Sequence, residues 1–529
     1  MKRNFLAIFA VVVLACAVLN AGVLDYDAES LGVGGAFTAV SRKATSILWN
    51  PASLMLEQKR GGFDFQLTGG AGVNFTGNIL ENVNNIADLS KKFTAINDAQ
   101  KNGGSIDISQ ISALTLAMKN INDLGSGAKG MLLSGGGGMF LRVGKMAFSV
   151  NNYVMGGVKP YTDMNFWLGS GTVTSSSLPG LFRSNLSHVF GDSSSGIIIS
   201  SDSANTSPTD TATRDLLATQ LGWMQADLQS AGVVIPPGIT PTQLANILIK
   251  NAVDNNVPST DIQNAVQTIA DNRTIIEAVL KGSNPMSTFS ANQSNIMLKG
   301  INVTELSAGS AWPLPLKELY LGVNLKLLSG TAAFYKLNVF KENAKIDDFS
   351  TFLTKNTKQS IQPGIDVGLL YDKSSSFLKS RFGLMAKNIN RPKFDMPDEA
   401  KKSGENEIYL DPQVRAGAAY FPFNFWTIST DVDLTKNSSF VPGYENQTWA
   451  LGTELNLINK KWFNLALRAG MMKNLARSDN PVYSGGIGLN ILHLVIDISG
   501  ALDTRQTKIN STDSVYSSGS AALSVSLYF

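Results

Sequence analysis

Apolar and polar residues alternate at period two along most of the chain, the mark of strands with one apolar face. Over 425–434, Trp426, Ile428, Thr430, Val432 and Leu434 share one face, and Thr427, Ser429, Asp431 and Asp433 the other. Over 449–457, Trp449, Leu451, Leu455 and Leu457 oppose Ala450, Gly452, Glu454 and Asn456. Segments 463–471 and 492–502 repeat the pattern. The spacing predicts fourteen strands, over 61–72, 132–143, 145–158, 295–310, 318–335, 359–372, 377–389, 411–421, 424–436, 446–458, 461–473, 481–490, 491–503 and 516–529. Short links near 144, 312–317, 372–376, 422–423, 459–460 and 490–491 alternate with long ones at 73–131, 159–294, 336–358, 390–410, 437–445, 474–480 and 504–515.

A soluble sandwich also alternates, but it has no reason to alternate loop lengths. Segments of about ten residues match tilted strands crossing a hydrocarbon layer. Their second faces carry Gly, Ala and single charges, as a barrel interior does, and the strand number is even, as bacterial single-chain barrels require. Trp426, Trp449, Trp462, Tyr371 and Tyr420 lie near segment ends, where an aromatic girdle belongs, and the chain closes on Phe529. The expected fold is all-β: a fourteen-stranded antiparallel transmembrane barrel, residues 61–529.

Two long links also carry helical periodicity. In 73–131, Ile79, Val83, Ile86, Leu89 and Phe93 recur at helical spacing. In 159–294 a Ser/Thr/Gly-rich stretch precedes three predicted helices. One, near 215–231, carries Leu217 and Leu221; a second, opened by Thr240-Pro241, carries Leu244 and Ile247; a third, after Ser259-Thr260, carries Ile262, Val266 and Ile269. Two uses compete for these seven residues: packing on one another and the barrel rim, or forming an apolar lid for a ligand.

Composition narrows the class. The chain has 529 residues, 43% hydrophobic but only 16% charged, with a net charge of +3. A soluble domain averages about 25% charged residues, and the small dispersed positive charge makes no basic patch for nucleic acid. Lys2 and Arg3, an apolar run from Phe5 to Val18 and the small exit Ala21-Gly22 read as a secretory signal peptide over 1–21. The single cysteine, Cys16, leaves with it. Its surroundings, Val13-Leu14-Ala15-Cys16, only faintly match a lipoprotein box, because Leu14 is bulky and the apolar run continues. A cysteine-free mature chain offers no disulfide, thiolate nucleophile or Cys-ligated metal.

Enzyme chemistry finds little support. His188 and His493 are the only histidines, and neither receives a catalytic or metal role. Gly191-Asp192-Ser193 falls in a Ser-rich loop. Ser376-x-x-Lys379 and Ser478-Asp479-Asn480 have no following Lys-Thr-Gly. No cofactor and no metal are expected. The inward faces carry Asp366, Arg381, Lys387, Arg415, Asp431, Asp433, Glu454, Arg468 and Asp497. These are candidate lumen charges, either a selectivity lining or a balanced network tying strands and plug together. Mixed signs favour the network, since unpaired buried charge is costly.

Between signal and first strand, residues 22–60 hold Gly32, Gly34, Gly35, Ala36 and Phe37, then Trp49, Asn50, Pro51 and Ala52. No Lys-Ser/Thr follows the glycines, so a phosphate loop is set aside. Gly and Ala permit close backbone packing, and Pro51 fixes a bend. A fourteen-stranded barrel is wide enough to leave a lumen, which a compact segment like this could plug. This segment resembles the N-terminal hatch of the FadL/TodX superfamily, whose hatch bears an Asn-Pro-Ala sequence, matched here at Asn50, Pro51 and Ala52. Residues 415–420 and 427–436 also resemble PorV-like barrels of a secretion system and TraF-like conjugal-transfer barrels.

The resemblance implies a monomeric bacterial outer-membrane transporter for hydrophobic small molecules such as long-chain fatty acids or hydrocarbons. The alternative it implies is a non-transport barrel docking a protein of a secretion or conjugal-transfer system. Transport would use the apolar loop helices as a collector and a lateral gap at a break in the third strand, at Asn151-Asn152 and Gly156-Gly157. Departures from the transporters are the helical mass, here in the first two external loops, and the lack of a basic residue matched to a carboxylate site.

Overall fold

The computed structural model describes residues 27–60, 62–77, 129–161, 211–230, 237–276, 295–338 and 356–529, apart from 255, 274–275, 461 and 510–512, with 79–80, 112, 115–116, 119 and 235 in addition. The expected signal peptide lies outside this range, as do His188, residues 191–193 and most of the helix expected over 79–93.

Among the described residues, fourteen antiparallel strands close a barrel. They are β1 (Phe63–Thr76), β2 (Gly130–Val143), β3 (Met146–Tyr161), β4 (Asn295–Pro313), β5 (Leu319–Asn338), β6 (Thr357–Lys373) and β7 (Ser380–Lys387). After two short strands, β8 (Lys393–Asp395) and β9 (Glu407–Tyr409), come β10 (Gln413–Phe423) and β11 (Trp426–Asp433). Beyond β12 (Asn437–Ser438) and β13 (Glu445–Asn446), the wall continues with β14 (Thr448–Lys460), β15 (Phe463–Asn474), β16 (Val482–Ile491) and β17 (Leu494–Asp503). It ends, after β18 (Gln506–Lys508) and β19 (Ser514–Tyr516), with β20 (Ser518–Tyr528), which pairs with β1 from Asp64↔Tyr528 to Asn74↔Ser518.

All fourteen expected barrel strands are present. The largest shift is at β1, which runs four residues further than expected, to Thr76, and β7 starts three residues late because 374–379 forms the turn. The ribbons β8–β9, β12–β13 and β18–β19 were not anticipated. Two or three residues per strand are too few to show alternation, and their partners lie across loops.

The barrel is inverted with respect to a soluble fold. Leu67, Met139, Leu306, Leu325, Leu451, Ile487, Ile498 and Leu523 point outward and are exposed, where lipid replaces water. Stacked Phe423, Phe425 and Trp426 and the pair Trp462–Phe463 mark the turn-side rim. One expectation is corrected: β3 has no break. Asn151, Asn152, Gly156 and Gly157 stay in register with both β2 and β4, with no bulge in either ladder. The glycines are accommodated because Gly156 lies opposite Gly300 and Gly157 is covered by Phe440.

The N-terminal segment packs inside. Val33, Phe37, Ile47, Leu48, Trp49 and Leu54 form one apolar cluster with the wall residues Phe140, Ala147 and Ala311. At the opposite mouth the β8–β9 ribbon folds inward. Phe394, Met396 and Ile408 bury against Ile301, Val303, Leu328 and Phe334, with Phe394 seated on Gly330.

Candidate functional site: the hatch seat and the chamber above it

The hatch rests on glycines. Inward-facing Gly322 and Gly368 pair across β5–β6, Gly383 and Gly417 across β7–β10, and Gly452 and Gly470 across β14–β15. Side chains there would overlap hatch atoms: Ala52 at Gly322, Asn50 and Pro51 at Gly368, Thr38 at Gly383, Val33 at Gly452 and Gly34 at Gly470. The wall is bare so that the hatch backbone can lie directly against it.

The residues singled out in the sequence occupy this contact. Gly34 and Gly35 take positive φ of 66° and 80°. Gly32 packs on Arg468 and Ser499, and Ala36 is fully buried. Phe37 meets Trp49 edge-on at 5.7 Å. Asn50 Nδ2 donates to Thr38 O (3.2 Å) and across the gap to Leu369 O on β6 (3.0 Å), while Asn50 Oδ1 accepts from Ala52 N (3.1 Å). Asn50 thus closes the hatch on itself and staples it to the wall.

A buried ion cage holds the other side. Glu29 pairs with Arg42 (3.1 Å), Lys43 (2.7 Å) and Arg468 (3.5 Å). Arg468 also pairs with Glu454 and Asp497, each at 2.7 Å, and Arg42 reaches Glu454 at 2.6 Å. Three sequence-predicted wall charges therefore meet three hatch charges, Glu29, Arg42 and Lys43, that the sequence reading did not single out. Their signal was simply charge inside an otherwise Gly/Ala-rich plug. Asp431 on β11 accepts from Phe37 N (3.1 Å) and Thr38 N (2.9 Å), a second anchor.

Asp27 opens the helix Ala28–Gly32 as its N-cap and accepts from Trp49 Nε1 (3.2 Å). Burial, with Glu29 and Asp497 nearby, pushes its carboxyl up to about 7. Burial would also raise Glu29, but Arg42, Lys43 and Arg468 outweigh it and hold Glu29 well below the ordinary range. The folded state therefore binds a proton at Asp27 that the unfolded chain releases near pH 4. The stability this contributes is full below that value and is lost as pH rises through about 7. Between pH 5 and 7 the hatch should loosen by about 1 kcal/mol per pH unit. Urea unfolding followed by heat-modifiable gel migration should show a falling stability in the natural chain and a shallower fall in Asp27→Asn; an unchanged slope would contradict the assignment.

Above the hatch lies a chamber of about 430 Å³, bounded below by Leu48 and above by Tyr409, Tyr444, Asp479 and Arg505. Its wall is charged, with Glu305, Lys326, Asp366, Lys387 and Asp433. Asp366 pairs with Lys326 (2.7 Å) and accepts from Asn324 and from Asn388 N. Asp433 takes both arms of Arg415, at 2.7 and 3.0 Å, and Thr448 N. Arg381 pairs with Asp372 at 3.1 Å, nearer the turn side.

The loop helices form a module of their own: Thr211–Ser230, Pro241–Asp254 and Ser259–Asp271 pack on one another. Thr240 and Gln243 cap the second reciprocally, Thr240 N donating to Gln243 Oε1 (2.9 Å) and Gln243 N to Thr240 Oγ1 (3.2 Å). Leu217, Leu221, Leu244, Ile247, Ile262, Val266 and Ile269 are all buried. The structure brings these seven together in helix packing and away from the chamber lining.

Among solved structures, the toluene transporter TodX of P. putida aligns over 96% of this chain and 99% of its own, at 9% identity and a TM-score of 0.41. A Pseudomonas aeruginosa FadL homologue aligns over 96% and 99%, at 10% identity and 0.40. CdiB from Escherichia coli aligns over 87% and 62%, at 7% identity and 0.29. No curated protein matches the chain. The family described as "F plasmid transfer operon, TraF, protein" matches residues 47–433, well over half of the sequence, from the hatch to the end of β11. The chain is a closed fourteen-stranded β-barrel protein and belongs to this TraF family.

Proposed function

We propose that the protein is a closed outer-membrane barrel acting as a protein-docking component of a conjugal-transfer apparatus, with its helical loop module offered to the partner. The observation that carries this reading is the hatch seat: backbone laid on paired glycines and locked by a buried ion cage. A plug so held leaves the lumen shut. The family description supplies the apparatus. Uptake of a hydrophobic small molecule is the alternative, and it needs an apolar path. The chamber wall interrupts its apolar stretches with Glu305, Lys326, Asp366 and Lys387, and the apolar residues of the loop helices are spent on their own packing.

The test has two arms. Proteoliposomes of the purified chain should show no saturable uptake of labelled palmitate or toluene. Excising 211–276 should leave heat-modifiable migration intact while abolishing plasmid transfer from cells that depend on this protein. Saturable uptake, or transfer undiminished by the excision, would sink the docking reading.

A further inference from the structure

We infer that the chamber between hatch and external loops is a binding site for a small polar oxyanion, a carboxylate or phosphate, anchored on the Lys387 ammonium. This inference stands independently of the docking reading. Lys387 ends β7 at the chamber floor and is 8% exposed. Its ammonium lies 5.3 Å from the centre of the Trp49 ring of the hatch. Among the described residues its ammonium makes no hydrogen bond and no ion pair; Asp366 and Glu305 attract it only through space, and the Trp49 ring face lies against it.

Two carboxylates of the chamber wall are bonded elsewhere. Asp366 holds Lys326 Nζ and the Asn388 N–H, and Asp433 holds Arg415 and Thr448, while Glu305 attracts Lys387 without bonding it. The Lys387 ammonium therefore keeps unfilled donors at one buried point. A largely buried cation without an acceptor is costly, and a ring face replaces only part of its hydration. What completes a surplus donor is an acceptor, best a charged one. Gln413 and Asn388 line the chamber beside Lys387 and supply further polar contact. The volume, about 430 Å³, suits a compact solute.

The test uses the full chain in detergent micelles at constant ionic strength, titrated calorimetrically with sodium phosphate and, separately, sodium succinate. One or both should bind at a single site, the two arms telling phosphate from carboxylate preference. Lys387→Met should weaken binding about tenfold or more, the worth of one charge-assisted hydrogen bond. Lys387→Arg should retain it, and Lys145→Met, in the exposed turn between β2 and β3, should not change it. Equal affinity in Lys387→Met, no binding of either anion, or octanoate binding more tightly than succinate would overturn the assignment. A measurement on the unmutated chain gives an independent check. Amine-reactive labelling of Lys387, read by mass spectrometry, should be slowed by the bound anion while Lys145 labelling is not; unslowed labelling of Lys387 would also overturn it.

Discussion

Replacing Gly452 with leucine is expected to unseat the hatch. A Cβ at this position already overlaps the carbonyl and Cβ of Val33, and Gly470, directly opposite on β15, is closed by Val33 and Gly34 in the same way. The obstruction is backbone against backbone, so no rotamer change relieves it. Inserting methylenes into a filled core costs about 1–3 kcal/mol even where side chains can yield, and the fixed seat puts Gly452→Leu at or above the upper end. The barrel strands themselves should still pair, because Gly452 makes its ladder contacts through main-chain atoms. Gly452→Leu should therefore keep a heat-modifiable barrel, admit a bulky antibiotic such as vancomycin across the outer membrane, and open ion conductance in planar bilayers. Gly485→Ala is the control: a Cβ there has only Arg468 O within reach, at 3.8 Å. If Gly452→Leu stays as closed as Gly485→Ala, the glycine seat is not what shuts the lumen.

What the sequence made legible, and what it did not, follows from the range of each interaction. The barrel strands could be read because lipid imposes one apolar face on every strand, a rule visible within ten residues. Thr240-Pro241 marked a helix start because a cap is also local. The hatch could be read because Asn50, Pro51 and Ala52 are contiguous. The glycine seat could not, although every glycine is plain in the sequence. Gly322 and Gly368 become one feature only when β5 and β6 are set in register, and register is a long-range property. The same holds for charge. Arg468, Glu454 and Asp497 were recognised as inward-facing, but Glu29, Arg42 and Lys43 join them across some 400 residues of chain. Leu217 and Ile262 were read as an apolar stripe; what covers a stripe is set by neighbouring helices, and no spacing within one helix reports it.

The second large effect belongs to Arg468. Its side chain is 3% exposed and serves three carboxylates, Glu454, Asp497 and Glu29. Glu454 and Glu29 keep Arg42 when Arg468 is removed, and Glu29 also keeps Lys43. Asp497 keeps nothing comparable: it is fully buried, Arg468 is its only ion-pair partner among the described residues, and its Oδ2 already lacks a hydrogen bond. Arg468→Met should thus cost about 3–5 kcal/mol, the penalty of a buried charge left without its partner. Arg468→Lys should recover only part, since one ammonium cannot fork towards Glu454 and Asp497 together. The decisive measurement is the double variant. If the cost is stranded charge, Arg468→Met with Asp497→Asn should be more stable than Arg468→Met alone, with a coupling of about 1–3 kcal/mol. If the cost is lost packing of the long side chain against Gly32 of the hatch, the two changes should add. Urea unfolding of the four proteins at one pH separates these outcomes, and simple additivity would remove the ion cage from the account of how the hatch is held.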